Sequence, residues 1–105
     1  MKTIINLSPT PNQTVSANIS DTAGEMHVVE LNLRTLPDGS MIADVAIDEN
    51  WLVYGVRCLN NMPLLLGTKN IGNLYFTDQY GDTDPTYSGL GDQYQLIYDN
   101  EFTLD

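Results

Sequence analysis

The stretch Ile71-Gly72-Asn73-Leu74-Tyr75-Phe76-Thr77-Asp78, continued after a Gly- and Asp-rich loop by Gly91-Asp92-Gln93-Tyr94-Gln95-Leu96-Ile97-Tyr98, decides the fold. Leu74 and Phe76 alternate with polar neighbours, and the same period of two recurs after the loop. A period of two is typical of half-buried β-strands. The stretch therefore predicts two strands joined by one long acidic loop.

The chain before this stretch repeats the strand-and-turn pattern. Predicted strands cover residues 2–7, 13–19, 26–34, 41–47 and 51–59, and turn residues separate them. A Pro-Asp-Gly turn at 37–39 predicts that 26–34 and 41–47 form a hairpin. Since no segment sustains a helical apolar stripe, we expect one all-β domain over residues 1–105. Its expected form is a small antiparallel β-sandwich or partly open barrel of about 7–9 strands.

Four local features are less regular than this pattern. The adjacent Val28 and Val29 predict a bulge or a strand end that is buried on both sides. Gly55, inside a predicted strand, indicates a bulge or a close backbone approach. The short run 64–66 is predicted to be a brief strand or a plug of core side chains, and the tail 99–105 an edge strand or a loose end.

Charge limits the classes of function. The chain carries 14 acidic against four basic residues, a net charge of -10. Such a chain is unsuited to nucleic acid, whose phosphates require Lys and Arg, and to anionic membranes. No apolar run has the length of a secretory signal or a membrane span. The acidic balance predicts either a solvated surface or a complementary face for a basic partner.

The residues that catalysis usually requires are scarce. Cys58 is the single cysteine and lies in an apolar run, which predicts a small buried hydrophobic residue. His27 is the single histidine, so we interpret it as a surface or hydrogen-bonded strand residue. No phosphate-binding glycine loop or nucleophile elbow is present in the sequence. We expect no enzymatic activity, no catalytic residue, no metal ligand and no cofactor.

The acidic loop holds the candidate functional residues. Its carboxylates and glycines suit a calcium ion in residue type but not in spacing, and they equally suit a solvated or partner-facing loop. Tyr80 and Tyr87 lie inside the loop, where aromatic side chains favour an interface, or else pack on the domain itself. Most other aromatic residues are expected in the core. The candidate partner contacts are Asp78, Tyr80, Asp82, Asp84, Tyr87 and Asp92.

An ordered set of segments runs along nearly the whole chain and resembles the small baseplate plug proteins of contractile-tailed bacteriophages. The segments are Ile5-Asn6-Leu7 with Pro11-Asn12-Gln13-Thr14, Asp44, Gly55-Val56-Arg57-Cys58, Pro63-Leu64-Leu65, Gly72-Asn73-Leu74-Tyr75-Phe76, and Asp84-Pro85 through Leu90-Gly91 to Tyr94-Gln95-Leu96-Ile97-Tyr98. One departure is the segment 22–27, which is longer than the family pattern leads us to expect.

The resemblance implies an all-β virion structural protein without catalytic residues. It places the protein at the centre of the tail baseplate, made in the host cytoplasm, beside hub and tail-tube-initiating proteins and other baseplate proteins. A homo-oligomer within the particle is compatible with it. The alternatives are a calcium- or carbohydrate-binding β-sandwich module, which a thermal melt with calcium and with chelator would detect, and a small hydrolase.

Overall fold

The computed structural model describes residues 2–65 and 72–102, and its strands form two antiparallel sheets. The strands are β1 Lys2–Ile5, β2 Gln13–Ser20, β3 Met26–Thr35, β4 Met41–Ile47, β5 Asn50–Arg57, β6 Asn73–Asp78 and β7 Tyr94–Asp99. One sheet has the order β1-β7-β6 and the other the order β2-β3-β4-β5. The predicted all-β fold is confirmed, because these described residues form a seven-strand sandwich that does not close into a barrel.

The four-stranded sheet follows from the alternation of apolar residues in β2, β3 and β4. Val15 pairs with Leu31, and Leu31 pairs with Val45, so apolar side chains line up across three strands. Their other neighbours, such as Ser16 and Glu30, face away from the core. The predicted hairpin of 26–34 with 41–47 is confirmed, and its tight turn closes with Leu36 N–H donating to the Ser40 carbonyl at 2.8 Å.

The three-stranded sheet supplies the second half of the core. β7 lies at its centre, between β1 and β6. Leu74 and Phe76 of β6 are fully buried, as are Leu96 and Tyr98 of β7. These side chains join those of the larger sheet in one hydrophobic cluster, whose buried members also include Cys58, Leu64, Leu65 and Leu90. A core enclosed between two sheets is the defining feature of a sandwich.

The outer edge of β6 is covered by the segment that follows β5. Asn61 N–H donates to the Phe76 carbonyl at 2.7 Å, and Leu64 N–H donates to the Leu74 carbonyl at 2.9 Å. The Asn73 amide binds both the N–H and the carbonyl of Leu65. Leu64 and Leu65 are therefore core side chains, which confirms the predicted plug, while the third residue of that run lies outside the described residues.

One expectation about local strand geometry was wrong, and another is tested only over part of its residues. Val28 and Val29 pair regularly with β2, Val29 also pairs with β4, and Val28 is 44% exposed, so the two valines mark neither a bulge nor a doubly buried end. The tail leaves the sheet after Asp99: residues 100–102 form no strand, and residues 103–105 lie outside the described residues. The irregular pairing is between β4 and β5, where the register shifts on both sides of Val45.

Candidate functional site

The acidic loop between β6 and β7 is ordered by the carboxylate of Asp78. This group accepts hydrogen bonds from Tyr80 N–H at 2.9 Å, from Thr83 N–H at 3.0 Å and from the Thr83 hydroxyl at 2.7 Å. Asp78 is 8% exposed. The Thr83 hydroxyl, followed by the Tyr80 N–H, lowers its pKa to about 2, so Asp78 is ionised at neutral pH and folds the first half of the loop around itself.

The rest of the loop is held by contacts to the body of the sandwich. The Thr83 hydroxyl lies 2.8 Å from the Tyr94 hydroxyl, and Asp84 Oδ1 accepts the Asn60 N–H at 2.9 Å. Pro85 and Leu90 are buried. The loop is therefore a shaped surface rather than a flexible tether, because both polar and apolar contacts fix it.

The outer side of the loop presents aromatic rings among carboxylates. Tyr80 is 74% exposed and Tyr87 is 40% exposed. The Tyr80 hydroxyl donates to Asp92 Oδ1 at 3.0 Å, and this bond raises the pKa of Tyr80. Asp82, Asp84 and Asp92 are exposed, and no Lys or Arg follows Lys69 in the sequence. The surface is thus amphipathic and negative, a combination found at protein interfaces.

The six candidate contact residues divide into one buried residue and five exposed residues. Asp78 points into the loop, where its oxygens are occupied by donors from the chain itself. The other five residues are exposed and available to a partner, and their contact role stays a prediction. Among the described residues the loop carboxylates form no group of three whose oxygens could share a metal ion. The group with that spacing is Asp21, Glu25 and His27.

Comparison with known families decides the class of protein. The family model described as "Cyanophage baseplate Pam3 plug gp18" matches residues 1–101. The chain belongs to this family of phage baseplate plugs. The resemblance inferred from the sequence is confirmed, and it identifies a baseplate structural protein. No curated protein matches the chain at a significant level.

Two further findings concern helix length and the single cysteine in this member of the plug family. The described residues contain no helix with the length and apolar character that crossing a membrane requires. Cys58 is 2% exposed, and burial raises the pKa of its thiol to about 12. The thiol is therefore protonated and enclosed at neutral pH, which confirms the prediction of a small buried hydrophobic residue.

The histidine of the plug chain links two turns of the larger sheet. His27 Nε2 lies 2.7 Å from Asp21 Oδ2, and His27 Nδ1 lies 2.5 Å from Asp48 Oδ2. Asp21 Oδ1 accepts the N–H groups of Ala23 and Glu25, which builds the β2–β3 turn. The predicted hydrogen-bonded role of His27 is confirmed. The segment 22–27, which is longer than the family pattern leads us to expect, lies in the hairpin of β2 and β3. The two strands pair regularly, beginning with Ser20 opposite Met26.

The expected burial of the aromatic residues outside the loop is only partly correct. Most of them were expected in the core, and only part of the set is buried. Trp51 is 37% exposed and Tyr54 is 72% exposed, and their rings stack with centroids 6.1 Å apart. Gly55, whose φ is 64°, signals one bulge of this strand, but it does not indicate which neighbouring side chain faces outward. Of the aromatic residues considered, Phe76, Tyr94 and Tyr98 are buried, Tyr75 is half-buried, and Trp51, Tyr54, Tyr80 and Tyr87 are exposed.

Proposed function

We propose that this chain is a structural subunit in the baseplate of a contractile phage tail, beside the hub and the start of the tail tube. It acts through contacts with other baseplate, hub and tail-tube-initiating proteins rather than by catalysis. The observation that carries the proposal is the family match, which spans residues 1–101 of the 105 in the chain. A homo-oligomer within the particle is part of the proposal, since rings reuse one surface repeatedly.

The acidic loop is the proposed contact surface, and Tyr80, Asp82, Asp84, Tyr87 and Asp92 are its contact residues. Exposed tyrosines contribute large contact areas at low entropic cost, because each has few rotatable bonds. The internal bonds of Asp78 hold the loop in one shape before binding, which lowers the ordering cost of association. The partner surface is expected to be basic, since the loop contributes only acidic charges.

Strand edges provide a second kind of contact. β1 is an edge strand of the three-stranded sheet, and β2 is an edge strand of the four-stranded sheet. Within the described part of the chain neither has a second neighbour. An unpaired edge offers backbone N–H and carbonyl groups to a strand from another protein. Such pairing would join neighbouring subunits through the backbone, while the loop side chains select the partner.

The loop contact can be tested by complementing a phage that lacks this gene with variants of the chain. Tyr80→Ala, Tyr87→Ala and Asp82→Lys remove exposed groups and leave Asp78 intact. We expect the triple variant to fold normally, as judged by its thermal midpoint, yet to be lost from purified particles. Glu25→Lys is the matched control, because it makes the same charge change at the opposite end of β7 and should be incorporated normally.

Normal incorporation of the folded triple variant would reject the loop as the contact surface. Electron microscopy of the same particles tests the tail type, since the proposal requires a sheath that shortens. Long tails without a sheath would contradict that part of it. A thermal melt with calcium and with chelator addresses the ion-binding alternative, and we expect equal midpoints, because a bound ion would raise the midpoint by mass action.

A further inference from the structure

A bulge at Leu52 places the side chains of Trp51 and Tyr54 on the same face of β5, and a second bulge follows at Tyr54 and Gly55. Trp51 pairs with Ala46 and Val53 with Val45, so Leu52 is an extra residue. Val56 pairs with Ala43, which leaves Tyr54 and Gly55 together opposite Asp44. Residues three apart in a regular strand face opposite ways, but here both rings lie on the outer face and stack. We define the aromatic patch as Trp51, Leu52 and Tyr54.

A polar group of low exposure holds this arrangement in place. Asp44 Oδ1 accepts the Gly55 N–H at 2.7 Å and the Arg34 Nη2 at 2.8 Å, and Asp44 is 9% exposed. Gly55 has a φ of 64°, a conformation that strongly favours glycine. The backbone of the bulge at Tyr54 and Gly55 is therefore held by a hydrogen bond to an ionised group.

The patch is surrounded by acidic residues at the Trp51 end. Glu30 pairs with Ala46, which in turn pairs with Trp51, so Glu30 lies in the same row of the outer face. Glu49 stands in the turn directly before β5 and is exposed. The basic residues lie towards the other end of the patch, where Arg34 is paired with Asp44 and Arg57 ends β5 three residues after Tyr54. Stacked aromatic rings with carboxylates at the rim suit a cation, because ring faces attract positive charge.

We propose that the aromatic patch is a second docking surface, distinct from the acidic loop, for a basic segment of another protein. An Arg or Lys side chain of that protein lies over the rings of Trp51 and Tyr54, with Glu30 and Glu49 at the rim. Leu52, which is 42% exposed, adds apolar contact area. The inference rests on the proposed function in one respect, that the basic partner is another protein of the particle.

Two other occupants fit the surface less well. A second copy of the chain, with 14 acidic against four basic residues, would set its own acidic surface against Glu30 and Glu49, so the proposed homo-oligomer is expected to use another surface. A strand added to the edge of β5 would meet a backbone whose hydrogen-bonding groups are displaced by both bulges, and bulges protect edges against such pairing. Docking through side chains onto the outer face avoids both costs.

Site-specific photo-crosslinking within assembled particles tests the proposal. Benzoylphenylalanine replaces Tyr54 in one variant, Tyr80 in a second and Ser16 in a third. Ser16 is exposed on the same outer face, on the far strand β2, and provides the matched control. We expect the Tyr54 position to crosslink several-fold more than Ser16, to a peptide of a different protein that contains Arg or Lys. Unchanged thermal midpoints would show that each variant folds.

Each remaining outcome overturns a defined statement. Crosslinks from position 54 to another copy of this chain, to a peptide without Arg or Lys, or at the Ser16 level would overturn the patch as a basic-partner site. If position 80 still crosslinks in those particles, the proposed function stands and the patch inference alone fails. If neither the wild type nor any variant is found in purified particles, the proposed function and the patch inference fail together. Tyr54→Ala should weaken binding of the partner by about thirtyfold or more, the loss typical of one interface hot spot.

Discussion

His27 Nε2 lies 2.7 Å from Asp21 Oδ2, and the opposite ring nitrogen faces Asp48. An imidazole with a carboxylate at each nitrogen can donate at both only when it is protonated. The bond to Asp48, followed by that to Asp21, raises the pKa of His27 above 6.5. The protonated ring therefore joins the turn after β2 to the turn after β4, and the strength of that link depends on pH.

The pH dependence follows from the direction of this shift. Because the folded-state pKa is raised, the stabilisation by His27 is complete below pH 6.5 and is lost as pH rises through the folded-state pKa. We expect the wild-type thermal midpoint to fall relative to that of His27→Gln as pH rises above 6.5. The Cys58 thiol titrates in the unfolded forms of both proteins, so its effect cancels in this comparison. Parallel curves for the two proteins would contradict the imidazolium link.

Among the carboxylates of the acidic loop, we expect the substitution of Asp78 to lower the thermal midpoint most. Asp78→Ala leaves Tyr80 N–H and the Thr83 N–H and hydroxyl without their acceptor, so the first half of the loop should open. We expect the thermal midpoint to drop by roughly 5 °C or more and the amides of Tyr80 and Thr83 to exchange faster with deuterium.

Asp82→Ala is the control for that variant, since it removes an exposed carboxylate of the same loop and should move the midpoint by no more than about 2 °C. The lowered pKa of Asp78 gives a second test. Its stabilisation is present above pH 3.8 and is lost as pH falls towards about 2. Equal midpoints for the two alanine variants, or equal acid sensitivity, would show that Asp78 does not organise the loop.

Gly91 closes the loop against the first segment of the chain. It has a φ of 84°, and a Cβ atom there would lie 2.5 Å from the Leu7 carbonyl oxygen. Gly24 has the same φ with open space around it, so Gly24→Ala measures the conformational cost alone, about 1–2 kcal/mol. We expect Gly91→Ala to destabilise by a further 1–3 kcal/mol, roughly the cost of overpacking, in denaturant unfolding. Equal losses would mean that Leu7 moves away freely.

The predictability of the strands depended on how regular their pairing is. β2, β3 and β4 pair without interruption, so the period of two in the sequence matches the faces seen in the structure. In β5 the same reasoning failed, because a bulge at Leu52 shifts the faces between Trp51 and Tyr54 and a second bulge follows at Tyr54 and Gly55. The sequence signalled a bulge through Gly55 but held no information on which neighbour it would turn outward.

The acidic loop shows a related limit. Asp78 and Asp82 are the same residue type in the same loop, and composition treats them alike. Their roles differ because Asp78 ends β6, where its side chain meets the N–H groups of the turning backbone, whereas Asp82 lies where the chain faces solvent. That distinction depends on backbone direction, which turn-rich composition leaves open.

Asp44 should control the orientation of the aromatic patch. Asp44→Ala removes the acceptor of the Gly55 N–H and of Arg34, and it leaves a backbone donor of the bulge unsatisfied. We expect a loss of about 2 kcal/mol in unfolding free energy. The fluorescence of Trp51 should change as well, because Trp51 is the single tryptophan and its stacking on Tyr54 depends on the bulge.

Arg34→Ala is the matched control. It removes the partner whose side chain is 50% exposed and keeps the Asp44 bond to Gly55, so it should cost less and leave the spectrum unchanged. A spectral change in Arg34→Ala equal to that in Asp44→Ala would assign the orientation of the patch to the ion pair instead of the Asp44–Gly55 bond.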